Sequence, residues 1–155
     1  MTLQIAPTHW YSWDFTVQKD AHTVASIDFN AWKEQGALTI DRTSYQMYRE
    51  GWMSGSFLLE RDGSVIARAE RPSAFRRQFL IHYRDHEYAL VTRSCFQRAF
   101  VLLDGSEEIG SVAPTGVFTR QATADLPENW PLPLRAFVIW LTMIQWRRDS
   151  AAAGA

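Results

Sequence analysis

The chain is poor in cysteine and lysine, and its start lacks an apolar segment. Cys95 is the only cysteine, so no intramolecular disulfide is possible, which fits a reducing compartment. Residues 1–11 contain no basic segment followed by an apolar one, so no secretory signal is predicted. The net charge of −1 argues against a molecule that attracts nucleic acid over its whole surface. We therefore expect a cytoplasmic protein, at most peripheral to a membrane, that binds no nucleic acid.

Recognisable catalytic motifs are also missing. The sequence has no Gly-x-Ser-x-Gly, no His-Glu-x-x-His and no phosphate-binding loop. One enzymatic alternative stays open, in which Cys95 is a nucleophile and His82 or His86 its base. His82, Asp85 and His86 lie close in sequence, but a structural metal site usually has a fuller ligand set. We therefore predict a non-enzymatic protein without a metal or cofactor.

The chain has 155 residues, of which 46% are hydrophobic, enough for one domain with a real core over residues 1–148. Up to residue 126, about a dozen short runs rich in β-forming residues follow one another without a long linker. Asp62-Gly63 and Asp104-Gly105 each separate two such runs and are typical of tight hairpins, and Tyr83–His86 is a plausible third. This pattern predicts a mainly β protein, either a sandwich or a barrel.

Two segments of the chain resemble each other. Residues 62–78 and 104–121 share Asp-Gly-Ser, an Ile, a Pro followed by Ser or Thr, a Phe and Arg-Gln. We interpret them as a duplicated unit of one hairpin and a strand, with chance similarity of two hairpins as the alternative.

The pattern changes near the C-terminus. Pro127, Pro131 and Pro133 predict stiff, extended chain. The following stretch predicts a helix over about 133–147, and the small residues of 149–155 predict a flexible tail. Residues 136–141 are apolar in unbroken succession, so every face of this helix is apolar. It is too short to span a bilayer, and a helix that is apolar all round is buried all round.

The place that can surround a helix in a β-rich chain of this size is the inside of a closed barrel. About twelve strands form a barrel too wide to be filled by its own side chains. We therefore predict a closed antiparallel barrel of about twelve strands that encloses its C-terminal helix. Of the seven tryptophans, we expect Trp140 and Trp146 to fill the barrel and several others to cover its wall or ends, in preference to an aromatic ligand box.

With the hairpins at Asp62-Gly63 and Asp104-Gly105 and the terminal PLRAFVIWLTMIQW, residues 9–148 resemble the tubby C-terminal-like superfamily. This group includes tubby-like proteins, phospholipid scramblases and LURP-one-related proteins, and the chain is most similar to a small bacterial LURP-one-like protein. The resemblance implies a twelve-strand barrel around a central helix and binding of phospholipid or phosphoinositide head groups. The chain lacks the Pro- and Cys-rich region of scramblases, and tubby's head-group residues have no clear counterparts here.

Charge is segregated along the second half of the chain. Residues 71–98 carry an excess of four positive charges and residues 99–130 an excess of four negative ones. The candidate ligand-binding residues, which could contact an anion by charge-assisted hydrogen bonds, are Arg71, Arg76, Arg77, Arg93 and Arg98. The alternative is a solvated surface on which the basic and acidic segments pair across neighbouring strands.

Besides the enzyme that would use Cys95, three functions stay open. The chain binds an anionic phospholipid at the membrane surface, it is a protein-interaction scaffold, or its helix leaves the barrel and inserts into a membrane. Oligomeric state is not predicted.

Overall fold

The computed structural model describes residues 2–30, 32–51, 55–72, 77–92, 98–116 and 120–153. The strands are β1 (Leu3–Pro7), β2 (Phe15–Lys19), β3 (His22–Asn30), β4 (Gln35–Ile40), β5 (Thr43–Arg49), β6 (Ser56–Arg61), β7 (Ser64–Glu70), β8 (Gln78–Tyr83), β9 (His86–Thr92), β10 (Phe100–Asp104), β11 (Glu107–Pro114) and β12 (Ala122–Asp125). The helix α1 (Leu132–Ala153) follows them.

The strands form one closed antiparallel barrel. Each strand pairs with the strands before and after it in the chain, and β1 pairs with β12 through Leu3↔Ala124 and Ile5↔Ala122. Closure satisfies the backbone hydrogen-bonding groups that the first and last strands would otherwise leave unpaired. The predicted fold class, a closed barrel of about twelve strands with a C-terminal helix, is confirmed.

Alternation along the strands separates an inner from an outer face. In β3, Ala25, Ile27 and Phe29 are buried, whereas Ser26 and Asp28 between them are exposed. Successive side chains of a strand point to opposite faces, so the buried set of each strand lines the interior. The barrel wall is therefore polar outside and apolar inside.

The helix α1 fills this interior. Every residue from Leu134 to Trp146 is buried except Arg135, which is half-buried. Trp140 lies near the middle, with its ring centroid 5.9 Å from that of Phe57, 6.2 Å from Phe29 and 6.1 Å from Phe137. Rings at these separations pack favourably beyond the area they bury. The apolar circumference of the helix is thus matched on all sides by the barrel wall.

The two polar residues within the buried part of α1 have hydrogen-bond partners. The Thr142 hydroxyl donates to the carbonyl of Val138, 3.1 Å away, and the Gln145 amide donates to Asp149 Oδ1 at 2.8 Å. A buried polar group is tolerated when such a bond replaces its bonds to water. These residues therefore do not require a polar face on the helix.

The helix is longer than the predicted span of about 133–147. It continues to Ala153, so residues 149–153 are helical where the sequence predicts a tail. Two causes are visible: Asp149 accepts bonds from Gln145 and from Arg77, and Ala151–Ala153 have high helix propensity. The small residues that suggested a frayed tail are good helix formers.

The predicted hairpins are present, with one difference in register. Asp62 and Gly63 are the two central residues between β6 and β7, both with positive φ, as a type I′ turn requires. In the second hairpin Asp104 pairs with Glu107, so Gly105 and Ser106 form the turn and only Gly105 has positive φ. The shared Asp-Gly motif therefore occupies different turn positions, and the two segments correspond as hairpins but not residue by residue.

The approach of α1 to the wall depends on Gly36 in β4. A Cβ atom at this position would lie 2.8 Å from Trp140 Nε1 and 2.9 Å from Met47 Cε. Distances this short require a shift of the indole ring or of the strand. The absence of a side chain at Gly36 thus makes room for the largest side chain of the core.

Substituting Gly36→Ala should lower the free energy of unfolding by about 1–3 kcal/mol, the usual range for overpacking a dense core. The measurement is urea unfolding followed by tryptophan fluorescence. The control is Ala37→Val, which adds two methyl groups to the exposed neighbouring residue. Equal stability of Gly36→Ala and the wild type would show that the interior is loose around Trp140.

Candidate functional site

The two ends of the barrel are built differently. Because the strands run up and down in sequence order, alternate connections lie at the same end. One end, the turn end, carries the two-residue connections 20–21, 41–42, 62–63, 84–85 and 105–106. The other end, the loop end, receives the connections 8–14, 31–34, 50–55, 71–77, 93–99 and 115–121 together with the C-terminal part of α1. Longer connections offer more side chains for binding, so the loop end is the candidate functional face.

The candidate arginines in the described residues lie at the loop end. Arg71 follows β7, Arg77 precedes β8 and Arg98 precedes β10. Arg71 is fixed by its backbone, because its N–H donates to the carbonyl of Gly55 at 2.8 Å. Arg76 and Arg93 lie outside the described residues, as does Cys95.

Two carboxylates organise the arginines. Glu34 is only 5% exposed. It accepts two hydrogen bonds from Arg148, both 2.7 Å long, and forms an ion pair with Arg49 at 3.0 Å. The bidentate contact with a guanidinium is the geometry in which such a pair is strongest. Asp149, one residue further along α1, accepts a hydrogen bond from Arg77.

These groups form one electrostatic cluster, which we call the arginine cluster. Its members are Arg49, Arg71, Arg77, Arg98, Arg148, Glu34 and Asp149. The charges of Arg148, Glu34, Asp149 and Arg77 act on Arg71. The charges of Asp149 and Arg77 act on Arg98. Since arginine stays protonated, five arginines and two carboxylates leave an excess of three positive charges.

Part of this positive charge is withdrawn from water. Burial lowers the pKa of Arg71, and the neighbouring Arg148 lowers it further. Burial also lowers the pKa of Arg98. In addition, Arg71 Nε is buried and has no hydrogen-bond partner among the described residues. An anion that approaches such a cation stabilises it, because the anion replaces part of the lost interaction with water.

Sequence reasoning missed three of the cluster's partners and misjudged a fourth. Glu34, Arg49 and Arg148 carry no local signal that would mark them as parts of a binding site. Asp149 was placed in a flexible tail. The carboxylates whose charges act on Arg71 and Arg98 include Glu34 and Asp149, which lie outside the acidic segment 99–130.

Large exposed aromatic side chains also lie on connections of the loop end. Trp10 is 87% exposed, Trp32 91% and Tyr11 69%. We call these three residues the aromatic rim. By contrast, among the described tryptophans Trp130, Trp140 and Trp146 are buried, and the partly buried Trp13 packs against the core. Exposed tryptophans grouped at one end of a molecule are typical of a surface that contacts a membrane or a partner.

The residues considered for catalysis and metal binding do not form a site in the described part of the chain. His82 lies 3.7 Å from Glu70 and His86 lies 2.8 Å from Asp104, so the two histidines belong to separate pairs. No group of three metal-ligating side chains is found among the described residues. Within the same residues, no helix combines the length and apolar character that crossing a bilayer requires.

No family model, curated protein or solved structure matches the chain. The resemblance to tubby C-terminal-like proteins therefore remains a hypothesis.

The substitution Glu34→Gln should lower the free energy of unfolding by about 2 kcal/mol, because it removes the charge that holds Arg49 and Arg148 together in a poorly hydrated place. The measurement is again urea unfolding. The control is Glu50→Gln, which removes one partner of the half-exposed pair with Arg68 at 2.6 Å and should cost less than about 1 kcal/mol. Equal effects of the two substitutions would contradict a structural role for the buried carboxylate.

Proposed function

We propose that the protein is a non-enzymatic module that binds the surface of membranes containing anionic phospholipids, and that it does so with its loop end. The observation that carries the proposal is the coincidence of the arginine cluster and the aromatic rim at one end of the barrel. The cluster supplies the attraction for phosphate groups, and the rim supplies side chains suited to the membrane–water interface.

The charge of the cluster has the sign and position that head-group binding needs. An excess of three positive charges at one end attracts a negative surface over about one Debye length. Arg71 and Arg98 are the members whose guanidinium groups burial partly withdraws from water, so they are assigned the phosphate contacts.

The aromatic rim supports the same orientation. Tryptophan and tyrosine are enriched where bilayers meet water, since their rings are apolar and their N–H and O–H groups still reach polar partners. Trp10 and Trp32 lie on the connections 8–14 and 31–34, which both belong to the loop end. Docking by this end would shield both rings from bulk water.

The resemblance to the tubby C-terminal-like superfamily points in the same direction, because it implies phospholipid or phosphoinositide binding. The aromatic rim equally meets the requirement of the second hypothesis, a protein-interaction scaffold. Anionic lipid dependence separates the two, since a protein interface has no need of it.

The test is flotation of the purified chain with neutral phosphatidylcholine vesicles and with vesicles that also contain phosphatidylserine or a phosphoinositide, at low and physiological ionic strength. We expect binding that requires the anionic lipid and weakens with salt. The double substitution Arg71→Gln/Arg98→Gln should weaken it about thirtyfold, given about 1 kcal/mol for each basic residue near the surface.

The matched control is Arg42→Gln/Arg84→Gln, which removes the same charge from the turn end. It should leave binding within about twofold, because those residues face away from the bilayer. An equal loss in both double variants would contradict docking by the loop end. Failure of the wild type to float with any vesicle would reject the lipid proposal and favour the scaffold.

A further inference from the structure

A cavity of about 590 Å³ opens at the loop end between the connection 8–14 and the last turns of α1. In the described residues its walls include Trp10, Tyr11, Trp13, Trp146, Arg98 and Asp149. The volume lies within the range of pockets that hold small molecules, about 300–1,000 Å³. Of the four aromatic side chains at this cavity, Trp10 and Tyr11 are exposed and provide flat surfaces for a ligand.

The aromatic wall is held in place by Arg120. Its guanidinium donates hydrogen bonds to the carbonyls of His9 at 3.2 Å, Trp10 at 2.6 Å and Ser12. It also lies over the ring of Trp13, 5.4 Å from the centroid. A connection that is already held by three hydrogen bonds loses less conformational entropy when a ligand binds, so less binding free energy is lost.

Guanidinium groups already lie over two of the four aromatic rings. Arg98 lies 4.5 Å from the centroid of Trp146, and the indole Nε1 of Trp146 donates to the Arg98 carbonyl at 2.7 Å. Arg120 covers Trp13 in the same way. Aromatic cages usually attract cations through their ring faces, but here a ligand cation would meet two guanidinium groups instead.

The carboxylate in the wall does not reverse this preference. Asp149 accepts hydrogen bonds from Arg77 and, at 2.8 Å, from the Gln145 amide. Its negative charge is therefore largely compensated from the side of the arginine cluster. The cavity thus combines flat apolar surfaces with a surplus of positive charge.

We infer that this cavity binds a small organic anion that carries a ring system, with the ring packed against Trp10 and Tyr11 and the anionic group facing Arg98. A sulfonate, carboxylate or phosphate ester on an aromatic ring has the required chemistry. The inference concerns a dissolved ligand, so it stands or fails separately from membrane binding.

The test is isothermal titration calorimetry with three probes that share one ring: naphthalenesulfonate, neutral naphthalenemethanol and naphthylmethyl-trimethylammonium. We expect the sulfonate to bind about tenfold or more tightly than the alcohol, because a charge-assisted hydrogen bond adds to the same ring contact. The ammonium compound should bind more weakly than both. Arg98→Gln should reduce the affinity for the sulfonate to that for the alcohol.

A cavity-filling variant locates the binding. Ser150→Trp places an indole in the cavity wall and should abolish sulfonate binding. Ala151→Trp adds the same side chain to the exposed next residue of α1 and should leave it unchanged. Thermal unfolding confirms that each variant is folded. The inference is overturned if the wild type does not bind the sulfonate, or if the alcohol or the ammonium compound binds as tightly as the sulfonate. It is also overturned if Ser150→Trp and Ala151→Trp bind the sulfonate equally well.

Discussion

A helix without a polar face has to be surrounded on every side, and this requirement determines the architecture. From Leu134 to Trp146, apart from the half-buried Arg135, the helix presents apolar or internally bonded side chains around its circumference. A barrel of twelve strands is wide enough to hold it and would be hollow without it. Wall and helix therefore stabilise each other, because each buries the apolar surface that the other leaves exposed. Gly36 shows how closely the two surfaces are fitted, since even one additional methyl group would overlap Trp140.

The path of the helix also explains why one end of the barrel carries the functional groups. The chain leaves β12 at the turn end, so α1 runs through the interior and emerges at the loop end. There its last turns bring Arg148 and Asp149 beside side chains from the strand connections. Glu34, buried at 5% exposure, holds Arg148 and Arg49 together. The arginine cluster is therefore a consequence of the plugged barrel, because the helix supplies two of its seven members.

The loop end combines three features that suit binding: an excess of positive charge in the arginine cluster, exposed aromatic rings and a cavity. The tight hairpins of the turn end leave little room for such a surface, since two-residue turns place few side chains beyond the barrel rim. At that end Trp130 packs against Tyr88, with 4.8 Å between ring centroids, and covers the interior. One end thus closes the core while the other presents the groups that contact a partner.

The sequence alone determined the strands, the Asp-Gly hairpins and the buried helix, because these follow from local periodicity and from the all-round apolar character of residues 136–141. From them the closed barrel could be inferred. The sequence also indicated Arg71, Arg77 and Arg98 as candidate anion-binding residues. The tertiary structure decided which side chains meet: Glu34 and Arg148 are 114 positions apart, and only barrel closure and the position of the helix bring them together. It also decided that Trp10 and Trp32 are exposed while Trp140 is buried. Local patterns describe the neighbours of a residue along the chain, whereas burial and ion pairing depend on neighbours in space.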